Sequence, residues 1–263
     1  MPGSRNASRG YGPVTMGRAT VRFYAELNDL VVPERRFRDS EVEFAGSPAV
    51  KDVIESLGVP HVEIDLLLLN GRSAAFGDRL RDGDRVAVYP TFEAFDVADL
   101  TSVRAAPLRE PRFVLDGHLG RLAAYLRMLG FDVLWERQPA DTYLARISAN
   151  ERRILLTRDL GLLKRTEVTH GLFVRATRPE EQLREVVGRL HLERLVQPFT
   201  RCLQCNSALQ SVELAAIQSE LPQRARERIR EVRRCAGCGK LYWAGTHHDR
   251  MSAFIARVLE PAG

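Results

Sequence analysis

RFVLDGHLGRLAAYLRMLGFDVLW, residues 112–135, passes from strand to helix and back to strand within 24 positions. Phe113, Val114 and Leu115 make a short, wholly apolar run, as a strand buried on both faces requires. Leu119, Leu122, Ala123, Leu126 and Leu129 then recur at helical spacing on one stripe, and Gly130 stops the helix. FDVLW is the next strand. Downstream the rhythm repeats: a helix over 141–150, the strand RILLT, a short helix over 160–165, the strand GLFVRA, and the helix PEEQLREVVGRLH. Helices alternating with apolar strands predict an α/β domain whose parallel sheet is covered on both faces.

Beyond residue 200 the chemistry changes. The four cysteines of the chain are Cys202-x2-Cys205 and Cys235-x2-Cys238. Two such pairs supply the four thiolates of a tetrahedral zinc ribbon, and with all four positions filled by sulfur the zinc is structural. The intervening segment, VELAAIQSELPQRARERIREVRR, reads as one or two inserted helices. Arg224, Arg226, Arg228 and Arg230 spread over several of its faces and read as a solvated surface. Arg201, Arg233, Arg234 and Lys240 stand close enough in sequence to offset the charge of the thiolates. Tyr242 and Trp243 beside the second pair either pack on the ribbon or stack on an unpaired base.

Upstream, residues 93–111 lack a period and end in Pro111, as a linker does. Residues 18–92 are strand-rich with one short helix bounded by Ser47-Pro48 and Gly58, and with turns at Asn70-Gly71 and Asp82-Gly83. That balance predicts an α+β β-grasp domain. VRFYAEL, VKDVIESLGVP, LLLLNGR and LRDGDRVAVYP resemble the ubiquitin-like sulfur-carrier fold. The last strand runs on into TFEAFD without a diglycine end, so the expected role is protein binding or RNA positioning rather than sulfur transfer. Residues 1–17, rich in Gly, Ser, Arg and Pro, read as a disordered tail.

In an open parallel sheet, ligands gather beyond the carboxyl ends of the strands. Asp116 follows FVL there, Asp159 follows ILLT, and Asp141 opens the helix between the second and third strands. Each alone reads equally as a helix cap. Together, carboxylates converging from different strands repel unless a cation lies among them, and their hard oxygens suit Mg2+ or Mn2+. Arg121 and Arg158 stand near these acids as phosphate ligands. His118 reads as solvent-facing.

DGHLGRLAAYLRMLGFDV, RILLTRDLGLLKR, PFTRCLQCN and RCAGCGKLYWAGTHHDRM, taken in this order, resemble the PIN-like ribonuclease domains named after the C-terminal part of the Mut-seven exonuclease, including bacterial members with a ubiquitin-like domain in front. The resemblance implies a PIN-like αβα domain over 112–200, with the zinc ribbon and a closing acidic element over 201–255. It implies catalytic metal ligands at Asp116, Asp141 and Asp159 and maps the family's closing His-x-Asp-Arg-Met element onto His247, Asp249, Arg250 and Met251, with Asp249 read as a fourth acid and Arg250 as an RNA contact; His247 and His248 read equally as RNA contacts and as structural residues. Ala140 stands where many relatives carry a second acid. The activity implied is divalent-metal-dependent ribonuclease action on RNA, with structured RNA such as tRNA as first candidate. The alternative is a non-catalytic RNA- or ribosome-binding protein.

Charge agrees with a polyanion partner for the second half. Residues 1–100 hold 12 Lys+Arg against 16 Asp+Glu, whereas 101–263 hold 27 against 18. No apolar run reaches the ~20 residues of a membrane span, and the N-terminus lacks a signal-peptide core, so the expected location is cytoplasmic and the expected partners exclude membrane.

Overall fold

The computed structural model describes residues 15–90, 111–221, 229 and 231–260. Two compact units divide between Ala106 and Pro107. Most of the expected tail (1–14), most of the expected linker (91–110) and Arg224, Arg226, Arg228 and Arg230 lie outside the described residues.

In the first unit β1 (Met16–Phe23) pairs antiparallel with β2 (Ser40–Ala45). After α1 (Val50–Ser56) come β3 (Ile64–Leu69), β4 (Arg72–Ser73) and β5 (Asp84–Pro90). The sheet order is β2-β1-β5-β3-β4, with β1 and β5 parallel in its middle, which is a β-grasp arrangement. Alternate residues of β1 face inward, so Val21 and Phe23 join Ile54 of α1, Leu67 and Val88 in the core. Asn70 (φ 53°) and Gly71 (φ 79°) form the two-residue hairpin turn between β3 and β4. Met16 and Gly17, read from sequence as tail, already pair with Ala45 and Phe44.

In the second unit β6 (Arg112–Leu115), β7 (Asp132–Trp135), β8 (Ile154–Thr157) and β9 (Gly171–Phe173) form an all-parallel sheet of order β7-β6-β8-β9. The connections are α2 (Gly120–Met128), α3 (Asp141–Glu151) and α4 (Leu160–Leu163), and α5 (Pro179–Arg189) follows β9. Phe113, Leu115, Ile154 and Leu156 pack into one core with α2 and α5, while Val114 and Leu134 meet Leu144 and Ile147 of α3 on the other face. The αβα layering thus follows from strands whose central residues are apolar on both faces.

The ribbon is β10 (Leu209–Val212), β11 (Val232–Cys235) and β12 (Leu241–Trp243), antiparallel in that order, with the short α6 (Leu214–Ile217) in the insertion. The closing helix α7 (Thr246–Leu259) packs beside α5 and lends Ile255 and Val258 to the same core as α2. The sequence boundary at residue 200 therefore separates no independent body: sheet, ribbon and α7 are one unit. Among the described residues no helix is long and apolar enough to cross a membrane.

Candidate active site and metal centre

Parallel pairing of β6 with β8 brings their carboxyl ends side by side. Asp116, directly after β6, donates its N–H to the Leu156 carbonyl, and its Oδ2 accepts from Thr157 Oγ1 at 3.0 Å. The same hydroxyl oxygen accepts the N–H of Asp159 at 3.0 Å. Thr157, fully buried at the end of ILLT, is therefore the link that sets the two acids on one rim. Sequence reading passed over it; the signal was a lone hydroxyl closing an apolar strand.

Asp159 Oδ1 accepts from Gly161 N at 2.7 Å and Leu162 N at 3.3 Å, capping α4. Asp141 is the first residue of α3, whose cap position is Ala140, so its side chain takes no part in capping. All three aspartates line one open cleft of about 660 Å³, together with His118, Arg137 and Arg158.

The spacing of the DGHLG motif shapes this cleft. A Cβ at Gly117 would collide with the Arg137 carbonyl oxygen, and one at Gly120 would lie 2.6 Å from Trp135 Cζ2. Both glycines let the segment after β7 close down beside Asp116, and Trp135 Nε1 donates to the Gly117 carbonyl across the seam. Among the described residues none of the three carboxylates forms an ion pair, and Asp141 has no side-chain hydrogen bond. Arg158 lines the cleft, but its Nη1 donates to the carbonyls of Val174, Arg175 and Ala176, so it tethers the loop after β9. The trio is not drawn together: among the described residues only the four cysteines form a group of three or more metal-ligand side chains within 4.8 Å of one another.

The remaining expected residues lie elsewhere. Arg121 is exposed in the first turn of α2 and does not line the cleft. Asp249, expected as a fourth acid, is at the far end of the sheet. The ring of its neighbour His248 packs 4.3 Å from that of Phe199, and Phe199 N–H bonds the Met128 carbonyl where α2 ends, beside the start of β7. From there α7 climbs, so that only its last turn reaches the acid-rim end, where Arg257 pairs with Glu180 of α5. The Asp249 carboxylate is 76% exposed and 3.9 Å from His248. His247 and Arg250 are exposed at the same end.

At the cysteine cluster, Cys202 Sγ and Cys238 Sγ are 3.7 Å apart, and Cys205 Sγ and Cys235 Sγ 3.2 Å. Sulfurs bound at about 2.3 Å to one zinc ion stand about 3.8 Å apart, so the four side chains fit that ion. The arginines expected to balance the thiolates act elsewhere: Arg233 on the Phe199 carbonyl, Arg234 on Glu220, Arg201 on the Asn206 carbonyl. The sulfurs instead receive backbone N–H groups from Cys205, Gly237 and Cys238, and Tyr242 Oη lies 3.1 Å from Cys202 Sγ. Burial, together with that sulfur, raises the Tyr242 pKa far above its ordinary value, so the hydroxyl keeps its proton and donates it.

The first knuckle is nailed to the second unit's sheet by groups that sequence reading missed. Arg127, 6% exposed, donates to the carbonyls of Val133, Leu203 and Gln204. Asn206 accepts from Val133 N–H and donates to Asp132, which also pairs with buried Arg153 at 2.8 Å. Burial alone would raise the Asp132 pKa, but Arg153 and Asn206 hold it below the ordinary carboxylate value.

Fold and site together define a parallel α/β domain with an acidic strand-end cleft and a four-cysteine ribbon stapled to its sheet. Residues 111–255 match the model of the Mut7-C RNAse domain, and residues 16–96 match Mut7-C ubiquitin. The first match covers more than half of the chain, and the chain belongs to the Mut7-C RNAse domain family. Its ribonuclease-type activity and ubiquitin-like front domain follow from that membership. No curated protein matches the chain. Among solved structures it is similar to the Haloferax volcanii HVO 2177 protein, with 20% identity, a TM-score of 0.25, and coverage of 36% of this chain and 100% of that one. It is likewise similar to SAMP1 from Haloferax volcanii, with 20% identity, a TM-score of 0.24, and coverage of 30% and 100%.

Proposed function

We propose that the cleft between Asp116, Asp141 and Asp159 hydrolyses RNA phosphodiesters with Mg2+ or Mn2+. The observation that carries this reading is that three carboxylates line one cleft and, among the described residues, none of them forms an ion pair. Uncompensated like charges favour a divalent ion, and Mg2+ is commonly held by one or two carboxylates while keeping its waters, so the open spacing of the trio fits it. When bound, such an ion supplies Lewis acidity toward the phosphoryl oxygen and lowers the pKa of water. Asp116 is the fixed member, because Thr157 occupies one oxygen and leaves the other facing the cleft. Asp159 likewise keeps Oδ2 for the cleft while Oδ1 caps α4. Arg158 presents positive charge at the rim, against which a phosphate is oriented. The β-grasp unit serves as a protein contact.

The test uses total RNA, with transfer RNA as the first purified fraction, and protein freed of cleft metal by mild chelation and then supplied with Mn2+. Asp116→Asn with Asp159→Asn should abolish cleavage while RNA affinity stays. Because asparagine is as good a cap as aspartate, Asp159→Asn alone should change stability by less than about 0.5 kcal/mol. Equal degradation by the double variant would assign the activity to a contaminant.

A further inference from the structure

Where the ribbon meets α7, a second pocket, of about 170 Å³, is walled by Phe199, Tyr242, Trp243, His248, Leu209 and Met251. Its rings are fixed rather than loose. Tyr242 Oη is held between Cys202 Sγ and the Leu203 N–H, Arg233 grips the Phe199 carbonyl, and His248 lies at a 39° tilt on Phe199. Trp243 is 37% exposed, among the few large apolar side chains left open to solvent. Arg201, Arg233 and Glu231 are the charged members of the lining.

Flat ring faces with guanidinium and carboxylate groups beside them are what an unpaired nucleobase recognises. The rings stack on its π-face, a carboxylate accepts from an exocyclic amine, and guanidinium groups take the flanking phosphates. The excess of basic residues over 101–263 favours the polyanion. We propose that this pocket seats a single unpaired base of the RNA substrate, as an anchor separate from the cutting cleft; this rests on the reading of the chain as an RNA-cleaving enzyme.

The position of the pocket gives the proposal a length. Phe199 is bonded to the end of α2 at the amino ends of the strands, whereas the aspartates stand at the carboxyl ends. The four residues of β6 span about 13 Å at ~3.3 Å each. A stacked strand with one base in the pocket covers that length in about four nucleotides, at ~3.4 Å each. Cys202 of the knuckle and the Leu203 N–H set the Tyr242 ring.

The experiment measures binding of an unstructured RNA of about twelve nucleotides, and of a series with one abasic residue at each position, to the zinc-loaded full chain carrying Asp116→Asn and Asp159→Asn. Trp243→Ala should weaken binding about fivefold or more, Trp243→Phe should restore most of it, and the abasic penalty should fall at one position. In the cleavage-competent chain, Trp243→Ala should slow cutting of the long RNA and leave a trinucleotide's rate unchanged. Equal affinity of the parent and Trp243→Ala chains, or an abasic penalty spread evenly along the RNA, would overturn the anchor. Should Trp243→Ala fail to retain zinc, the abasic series on the otherwise unaltered chain decides alone. Failure of the nuclease reading looks different: no RNA is cut by the parent chain, while the binding series keeps its pattern.

Discussion

Arg127 joins the zinc knuckle to the sheet, and replacing it with methionine isolates that role. The change keeps a long unbranched stem and removes four hydrogen bonds, two to the Val133 carbonyl at 3.1 and 2.8 Å and one each to Leu203 and Gln204 at 3.2 and 3.1 Å. Hydrogen bonds to a charged group contribute roughly 1.5–3 kcal/mol each, and a plain sum would overshoot. Burial lowers the Arg127 pKa, against the pull of Cys202 and Cys205, which shows that desolvating the guanidinium offsets part of the gain. What remains is the cost of three carbonyls left without their donor, about 3–5 kcal/mol by analogy with breaking a buried charged contact. Against a total of roughly 5–15 kcal/mol, that is a large loss. Urea unfolding followed by circular dichroism reads the stability, and zinc transfer to a colorimetric chelator reads the knuckle. Both should change together, with zinc leaving faster in Arg127→Met. Adding Asn206→Ala should cost less than the sum of the single changes, because a knuckle already released cannot be released again. A stability loss under about 1 kcal/mol with unchanged zinc release would refute the reasoning.

Asp132 carries a pH dependence whose sign is set by its partners. Its pKa is lowered in the fold, so the folded protein binds that proton less readily than the unfolded chain. The contribution is complete above the ordinary value of 3.8 and is lost as pH falls through and below it. The urea-midpoint gap between parent and Asp132→Asn should be wide at neutral pH and narrow as pH falls below 3.8. Gly120→Ala drives a methyl into the Trp135 indole and should cost about 1–3 kcal/mol, with a loss of cleavage because the cleft wall moves. Unchanged cleavage kinetics would separate that wall from the site. In zinc-free protein the Ser207 hydroxyl and N–H draw the Cys205 thiol down to about 6, whereas at Cys238 the pull of the Lys240 N–H is outweighed, chiefly by the three neighbouring thiols, which push it up to about 11. Iodoacetamide at neutral pH should therefore label Cys205 first, as peptide mapping would show, and zinc should protect both.

Features that depend on local sequence were legible, and those that depend on the direction of a distant group were not. Gly130 (φ 97°) and Pro179 at the start of α5 punctuate the chain wherever the rest of it lies, so the strand and helix order could be read off. Asp116 and Asp159 were legible because a carboxylate after a buried strand must emerge at its carboxyl end. Thr157 was not, since its role exists only once β6 and β8 are in register. Arg158 adjoins Asp159 in sequence, yet its guanidinium turns to the carbonyls of residues 174–176, which no spacing rule encodes.

Asp249 shows the same limit at larger scale, and its misplacement changes what the ribbon is for. The helical period of α7 was readable, but not which end of the sheet it starts from. That end is set by Phe199 bonding the last turn of α2 and by Arg127 and Asn206 holding the first knuckle to β7. Those knuckle contacts run along the edge strand β7, where Gln204, Cys205 and Asn206 share a pocket with Trp135, Glu136 and Tyr143, whereas Phe199 and α7 meet the domain where α2 ends. If the ring pocket beside the ribbon anchors a base as proposed, zinc bears on the reaction through the register in which a long RNA lies along the domain, and its removal should weigh on long substrates more than on short ones.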